Sequence, residues 1–448
     1  MFDEYSNHNL FLKGMDLFLK HDPHLSPLSE TPLVHPMDWW RKIDWQAPGI
    51  YLLTGGRQIG KTTSTKLLLK ELLVTKRFPP QSIYYLPCDQ IDTHIQLGQK
   101  LRLLLKEISR HSPLFLLVLD EVTFVKDWDR AIKALADEGW FRRGFCIITG
   151  SDNVILKEAA SRFPGRRGEA SQTDFHLHPL TFFDYVRLID PNLILTEHPD
   201  PSQLLSLLKD YFQCGGHLKT INDFHKNGSI KEATYITYEQ WIQGDMERRG
   251  KSLSILLGVL KTVRETLGSQ VTYSSLAQRM GEISKETFID YCNLLERMDV
   301  LFTLQAFDQN KKIGFPKKAR KIHFWDPFIM NTVERWLHRE GLWNHTIENE
   351  PIKAESVVAG AFKLKGPTYY WKGKGEIDVI AVQPKQTLAI EVKWTKQLKS
   401  WDLSELKKHP NSIILTQNQE GANDGIPILP MPQFLIKGIN PRSPGRFS

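Results

Sequence analysis

Long hydrophobic runs are missing from this sequence of 448 residues. The longest uninterrupted aliphatic and aromatic stretch is Leu114–Leu119. A membrane helix needs roughly 20 apolar residues, so no membrane partner is expected. Cysteine is scarce as well. Cys88, Cys146, Cys214 and Cys292 are scattered and form no CxxC pair, which excludes a disulfide framework or a zinc knuckle as the basis of the fold. A secretory leader is not visible either. The chain opens Met1-Phe2-Asp3-Glu4-Tyr5 without the basic-then-apolar pattern, and a cytoplasmic location is expected. Internal repeats and low-complexity tracts are lacking. What is present is an ordinary globular mixture, 41% hydrophobic and 24% charged, in a chain long enough for roughly two to four domains.

The formal net charge is +7, and its placement matters more than its size. Residues 351–448 hold 14 Lys/Arg against 8 Asp/Glu, so most of the excess sits near the C-terminus. A second basic cluster precedes it, with Lys311, Lys312, Lys317, Lys318, Arg320 and Lys321. Clustered cations suit a polyanion such as nucleic acid. A solvated basic surface fits the same residues equally well.

From Gly49 to Leu177, short apolar runs alternate with helical patterns, the signature of a parallel sheet in an α/β fold. Strands are expected at Ile50–Thr54, Ser82–Cys88, Leu114–Asp120, Phe145–Thr149 and Asp174–Leu177. Residues 1–45 read as an arm, with an amphipathic helix over Leu10–Lys20, a proline-rich stretch, and Trp39, Trp40 and Trp45 placed to pack it onto the next domain. Residues 181–250 read as helical. Residues 251–340 read as three helices and a two-stranded ribbon, the winged-helix pattern. Residues 341–448 read as helix, three strands, helix.

The first strand runs into Gly55-Gly56-Arg57-Gln58-Ile59-Gly60-Lys61-Thr62, which fits G-x-x-x-x-G-K-[ST]. Glycines let backbone N–H groups curl around phosphate oxygens, and the following helix, opening at Thr63, offers its positive end. Lys61 is expected to reach the β- and γ-phosphates of ATP, and the Thr62 hydroxyl to ligate Mg²⁺. Both contexts that a P-loop requires, a preceding strand and a following helix pattern, are present. About sixty residues on, Leu114–Leu119 ends in Asp120-Glu121. An Asp at a strand tip can hold the Mg²⁺ shell, and the next Glu can activate the attacking water. The next strand ends in Thr149-Gly150-Ser151, where a hydroxyl can meet the γ-phosphate or the water. Gly165-Arg166-Arg167-Gly168 offers a guanidinium for transition-state charge. Arg166 is the preferred residue, with Arg167 as the alternative. Action in cis and action in trans, the latter within a homo-oligomer, both stay open, as does a plain surface turn.

These segments, together with Pro179-Leu180-Thr181-Phe182-Phe183-Asp184-Tyr185, Cys214-Gly215-Gly216 and Gly244-Asp245, resemble a family of prokaryotic ATPases of the AAA+ superfamily. That family carries a winged helix and a C-terminal PD-(D/E)XK nuclease-like domain. The similarity runs over residues 40–440. It implies a P-loop AAA+ core at 46–180, a helical and winged-helix middle at 181–340, and an α/β restriction-endonuclease-like domain at 341–448. The chain departs from the family at Cys214-Gly215-Gly216-His217-Leu218, where a Gly-Gly-Phe/Tyr-Pro run is usual. Only local packing is expected to feel this.

The C-terminal segment looks like the nuclease pattern. Asp378 precedes a turn, and Glu391-Val392-Lys393 follows it. Residues i and i+2 of a strand share a face, so Glu391 and Lys393 project together, and a short hairpin brings Asp378 alongside. Asp378 and Glu391 could hold Mg²⁺ with several waters, while Lys393 orients the attacking water. Glu355 is placed in sequence like the family's helical acid. The expected protein is therefore an ATP phosphohydrolase that binds DNA, RNA being an alternative, and couples to a Mg²⁺-dependent endonuclease. The competing reading is an ATP-dependent regulatory switch whose nuclease-like domain only docks nucleic acid or a protein.

Overall fold

The computed structural model describes residues 3–112, 114–150, 156, 165–281, 283–344, 349–395 and 403–437. The chain divides into two compact units, residues 1–178 and 179–448, and each is described by itself. No described helix is long and apolar enough to cross a membrane.

The apolar runs of the first unit are continuous, so its strands must be covered on both faces, as in a parallel sheet. In chain order the elements are α1 (Met15–His21), β1 (Gly49–Gly55), α2 (Lys61–Val74), β2 (Ile83–Pro87), α3 (His94–His111), β3 (Phe115–Asp120), α4 (Trp128–Asp137), β4 (Gly144–Thr149) and β5 (Asp174–Leu177). The strands lie in the order β2-β3-β4-β1-β5, all parallel. Along β1, Ile50 and Leu52 join the core on one face, and Tyr51 and Leu53 join the core on the other, the two-residue alternation of a strand.

The N-terminal arm closes the second face. Phe11, Phe18, Trp39 and Trp40 pack in one cluster with Tyr51, Leu53 and Phe145. Trp39 Nε1 donates to Ser64 Oγ at 3.2 Å, and Trp40 Nε1 to Glu71 Oε2 at 3.0 Å, so both indoles satisfy their donors on α2. The arm's helix is shorter than the expected Leu10–Lys20. Gly14 takes φ +137°, a value that L side chains rarely adopt, and α1 starts only at Met15.

The second unit opens with α5 (Phe182–Ile189), α6 (Pro191–Leu195), α7 (Pro201–Cys214), α8 (Leu218–Asn227) and α9 (Glu232–Glu247). Thr181 and Asp184 form a capping box on α5, satisfying N–H groups that the helix leaves open. Then come α10 (Leu253–Glu265), α11 (Tyr273–Met280), α12 (Lys285–Arg297), the hairpin β6 (Leu301–Asp308) with β7 (Ile313–Phe324), and α13 (Pro327–Arg339). Three helices and a ribbon follow one another as the sequence pattern predicts. The Gly215-Gly216 pair has a packing reason. Gly215 has φ +62°, and a Cβ there would sit 2.0 Å from Asp326 Oδ1. Buried Asp326 accepts the Gly216 N–H at 2.7 Å and caps α13 through the Phe328 N–H at 2.8 Å.

The chain ends with α14 (Glu350–Lys363), β8 (Thr368–Lys372), β9 (Glu376–Val382), β10 (Thr387–Lys393), β11 (Ser412–Thr416), β12 (Gly421–Asn423), β13 (Ile426–Pro430) and α15 (Met431–Lys437). The segment therefore has six strands where the sequence pattern suggests three. β12 has no apolar residue beyond Ala422, and its alternation is invisible. The strands lie in the order β12-β13-β11-β10-β9-β8-β6-β7. One sheet thus continues from the C-terminal strands into the β6–β7 ribbon, through parallel pairing of β8 with β6 at Tyr370 and Ala306. The expected boundary near residue 340 does not interrupt it.

Candidate functional site

The first candidate site lies at the carboxyl ends of β1, β3 and β4. Residues 56–60 leave β1 and re-enter as α2. Gln58 takes φ +60° and Gly60 φ +97°, the left-handed steps that fold a loop over on itself. Lys61 is buried, and its Nζ donates to the Gly55 and Gly56 carbonyls at 2.9 and 3.0 Å. Its ammonium therefore lies inside the curl of the loop. Thr62 Oγ1 donates to Asp120 Oδ2 at 2.9 Å. The sheet order brings these two together, because β4 alone separates β1 from β3.

Asp120 sits in a cage of hydroxyls. Besides Thr62, it accepts from Thr149 on Oδ1 and from Tyr85 on Oδ2. Thr149 Oγ1 also receives the Glu121 N–H at 3.2 Å. Glu121 takes φ +57°, a strained position for a residue with a side chain and one typical of functional turns. Gly150 is constrained: a Cβ there would come 2.6 Å from Thr123 Cγ2.

Tyr85 is the member that the sequence did not reveal. Burial, and then the charge of Asp120, push its phenol well above the usual tyrosine range, so it acts as a fixed donor. The arm holds it in place. Asn9 Oδ1 receives the Tyr85 N–H at 2.8 Å, and Asn9 Nδ2 donates to the Tyr85 carbonyl at 2.8 Å. Lys66 Nζ lies 3.6 Å from the Tyr85 ring centroid and 3.0 Å from Asp22 Oδ2, with both ionic side chains fully buried. Burial lowers the lysine, and Asp22 opposes that shift.

Ser151 lies outside the described residues. Arg166 and Arg167 do not converge on the P-loop of their own chain. The Ile50 N–H donates to the Arg167 carbonyl at 3.1 Å, which puts this turn at the amino end of β1. The length of that strand, on the order of 20 Å, separates it from the P-loop. Arg166 pairs with Asp137, and Arg167 clamps Asp174 and the Thr173 carbonyl, each at 2.9 Å. A catalytic role for Arg166 in cis is corrected accordingly: the turn braces the sheet edge.

The second candidate site lies where α14, β7, β9 and β10 meet. Glu355, Asp378, Glu391 and Lys393 come together there, the last three as the hairpin spacing predicts and Glu355 as the resemblance implies. Lys393 Nζ lies 2.5 Å from Glu391 Oε1, and Asp378 Oδ2 accepts the Val392 N–H at 2.9 Å. Two further residues join. Lys321, expected as an exposed cation of the basic turn, is instead buried. Its Nζ lies 2.7 Å from Glu355 Oε1 and 2.9 Å from Asp378 Oδ1, and it pairs with Glu376 as well. β7 turns inward after Ala319, so Lys321 cannot face a phosphate in solvent. Glu376 was legible in principle, since it precedes Asp378 by two residues and shares its strand face.

Burial, and then the charge of Asp378, push the Glu355 and Glu391 carboxyls upward. Burial also opposes the charge on Lys321, but Asp378, Glu355 and Glu376 outweigh it and hold the ammonium well above the usual lysine range. Glu391 Oε2 is buried with no hydrogen-bond partner among the described residues.

Of the basic turn, Lys317 and Lys318 are exposed, as are Lys311 and Lys312. Arg320 is half-buried and stacks over Tyr273, 4.0 Å from its ring centroid.

Comparison with known proteins matches three segments of the chain. Residues 47–186 match the family model described as an AAA domain. Residues 205–340 match a domain of unknown function, and residues 343–408 a family of archaeal and bacterial proteins of unknown function. The uncharacterized protein MJ1637 of Methanocaldococcus jannaschii is 25% identical over 382 residues, covering 77% of this chain and 75% of its own length. A second protein of that organism, MJ1544, is 22% identical over 333 residues, covering 68% and 69%. Among solved structures, the Walker-type ATPase PABY2304 of Pyrococcus abyssi superposes with a TM-score of 0.43 at 13% identity, covering 71% of this chain and 96% of that one. The Orc1 protein of Aeropyrum pernix, solved in complex with DNA, gives 0.30 at 13% identity, covering 71% and 93%. Residues 47–186 thus carry a parallel-sheet P-loop domain that matches the AAA domain model.

The buried Asp22–Lys66 pair under Tyr85 yields a stability test. Asp22→Ala leaves an uncompensated ammonium and is expected to destabilise the first unit by about 3–5 kcal/mol. The double variant Asp22→Ala/Lys66→Met, which removes both charges, should recover most of that loss. Urea unfolding followed by tryptophan fluorescence measures both. Equal destabilisation by the single and double variants would contradict the pairing.

Proposed function

We propose that this protein binds and hydrolyses ATP with Mg²⁺, engages DNA through its basic hairpin, and carries a Mg²⁺-dependent nuclease centre in its C-terminal sheet. The observation that supports the ATPase reading is the convergence of Lys61, Thr62, Asp120, Glu121 and Thr149 at the carboxyl ends of β1, β3 and β4. Backbone N–H groups of residues 56–61 and the start of α2 hold the phosphates. Lys61 exchanges its carbonyl partners for β- and γ-phosphate oxygens. Thr62 and Asp120 fit Mg²⁺, because a hydroxyl and a carboxylate already within hydrogen-bond distance offer it two hard oxygens. When bound, the ion would supply positive charge that offsets the charge of the phosphates. Glu121 orients the attacking water and takes its proton on a carboxylate oxygen. Thr149 and Tyr85 keep Asp120 turned toward Thr62.

The nuclease reading rests on Asp378, Glu391 and Lys393 sharing one cluster. Asp378 and Glu391 would hold Mg²⁺, and the orphaned Glu391 Oε2 is the atom that fits a cation. The ion would supply Lewis acidity at the scissile phosphate. Lys393 steadies the attacking water or the phosphorane charge. The switch reading has its own support, namely that Lys321 already occupies Asp378 Oδ1 and Glu355 Oε1. The exposed hairpin lysines supply the nucleic-acid contact. The outer face of α12 mixes Lys285 and Arg297 with Glu286 and Asp290, so base-specific reading is not proposed.

Three outcomes follow from this reading. Lys61→Ala should weaken ATP binding by roughly tenfold to a hundredfold, as expected when a charge-assisted hydrogen bond is removed. Glu121→Gln should retain binding while kcat falls by roughly a hundredfold or more. Wild-type hydrolysis by Lys61→Ala would end the assignment.

Replacing Lys311, Lys312, Lys317 and Lys318 with Ala should weaken DNA binding across sequences. The slope of log K against log salt should flatten by about one for each phosphate no longer neutralised. An unchanged slope would mean that the hairpin is merely a solvated surface.

Asp378→Ala and Lys393→Ala should each abolish cleavage of nucleic acid while sparing ATP hydrolysis, and EDTA should stop both activities. The assay is a panel of duplex, single-stranded, flapped and branched DNA plus RNA, with Mg²⁺ or Mn²⁺. No cleavage anywhere on that panel would leave the switch reading.

A further inference from the structure

Lys321 is the buried group that the proposed nuclease chemistry does not use. It reaches the carboxylate cluster from β7, outside the segment that supplies the other members. Its side chain is 1% exposed. An ammonium has three N–H donors, and Glu355, Asp378 and Glu376 provide three acceptors. Glu376 is braced in turn by the Gln270 amide. Lys321 therefore has no donor left for a substrate phosphate, which separates it from Lys393.

Charge and space give it a different role. With all four ionised, as a bound cation would favour, the carboxylates Glu355, Glu376, Asp378 and Glu391 face two ammoniums, Lys321 and Lys393. The deficit is two positive charges, which one divalent ion fills. A second divalent ion, set about 3.5–4 Å from the first as in two-metal sites, would have to share Glu355 and Asp378 with the Lys321 ammonium, which already holds Glu355 Oε1 and Asp378 Oδ1. The free buried oxygen, Glu391 Oε2, lies on the other strand of the hairpin.

We propose that Lys321 is a chain-borne cation standing in for the second divalent ion of a two-metal nuclease, so that the C-terminal site takes one divalent ion, held by Glu391 and Asp378. Lys321 is a positioning residue. It fixes Asp378 from the Glu355 side and leaves the Glu391 side to the metal. This inference rests on the nuclease reading for the identity of the ion, but its readout is the number of ions bound.

The test is Mn²⁺ binding to the full chain without nucleotide, by calorimetry and Mn²⁺ electron paramagnetic resonance, with Glu391→Gln as the blank for this site. The wild type should bind one Mn²⁺ that Glu391→Gln loses. Lys321→Met should bind a second ion, or hold the first about tenfold or more tightly, because a neighbouring positive charge is gone. Lys321→Arg, which keeps the charge, should return to one. If Lys321→Met does not fold, as far-ultraviolet circular dichroism would reveal, the wild-type and Lys321→Arg counts still decide. Two ions in the wild type that Glu391→Gln loses would overturn the proposal. So would none in the wild type with one in Lys321→Met, because Lys321 would then plug the whole site. One bound Mn²⁺ without cleavage would defeat the nuclease reading alone. Two bound Mn²⁺ with cleavage intact would defeat the Lys321 assignment alone.

Discussion

A charge taken out of water must find its opposite inside the protein, because an unpaired buried ion costs several kcal/mol. That constraint organises both candidate sites. Lys66 is fully buried on α2 and draws Asp22 inward from the arm, while its other anchor, the His8 carbonyl, lies 58 residues away in sequence. Lys321 is fully buried on β7 and gathers carboxylates from α14 and β9. Arg264, also buried, pairs with Glu334 and Asn349. In each case a cation fixes segments that hydrophobic packing alone would hold with less directional precision.

The consequence at the nucleotide site is a chain of dependence that begins far from it in sequence. Asp22 and the His8 carbonyl hold Lys66. Lys66 lies against the Tyr85 ring, and Tyr85 donates to Asp120. Asn9 adds a two-sided hydrogen bond to the Tyr85 backbone, as a strand neighbour would. The arm is therefore more than a cover for apolar surface. It sets the position of one of the three hydroxyls that orient the strand-tip carboxylate, and Thr62 and Thr149 set the other two. On the proposed function, Mg²⁺ geometry depends on residues that a P-loop motif does not contain.

Local chemistry was legible in the sequence, and long-range pairing was not. The P-loop, the strand-tip Asp120 and the hairpin bringing Asp378 to Glu391 depend on spacing within short segments, and spacing is written in the chain. Strand positions in the parallel sheet were equally readable, since runs such as Leu114–Leu119 have no polar face to confuse them. Four things were hidden. Tyr85 has no local mark that separates it from any core tyrosine. The Arg166-Arg167 turn has the composition of an active-site loop, yet its backbone pairs at the amino end of β1. Lys321 sits in a run of cations whose other members are exposed or half-buried, and only the inward turn of β7 distinguishes it. The merging of β6 with β8 was hidden for the same reason: edge pairing between segments is a property of the sheet and leaves no periodic trace.

That merging decides what the hairpin can do. β7 is one strand with two environments. Residues 315–318 are exposed, while Lys321 to Phe324 are buried. Lys318 and Lys321 are three residues apart, about 10 Å along an extended chain. On the proposed function, a phosphate backbone resting on Lys317 and Lys318 is thus a short reach from a pocket that holds four carboxylates, which by themselves would repel it. Lys321 and Lys393 offset half of that repulsion before any metal arrives. The strand that presents cations to the polyanion also carries inward the cation that makes the acidic pocket approachable. A Lys at position 321 with a solvent-facing side chain would serve only the first of these tasks, and the inward turn of β7 after Ala319 is what supplies the second.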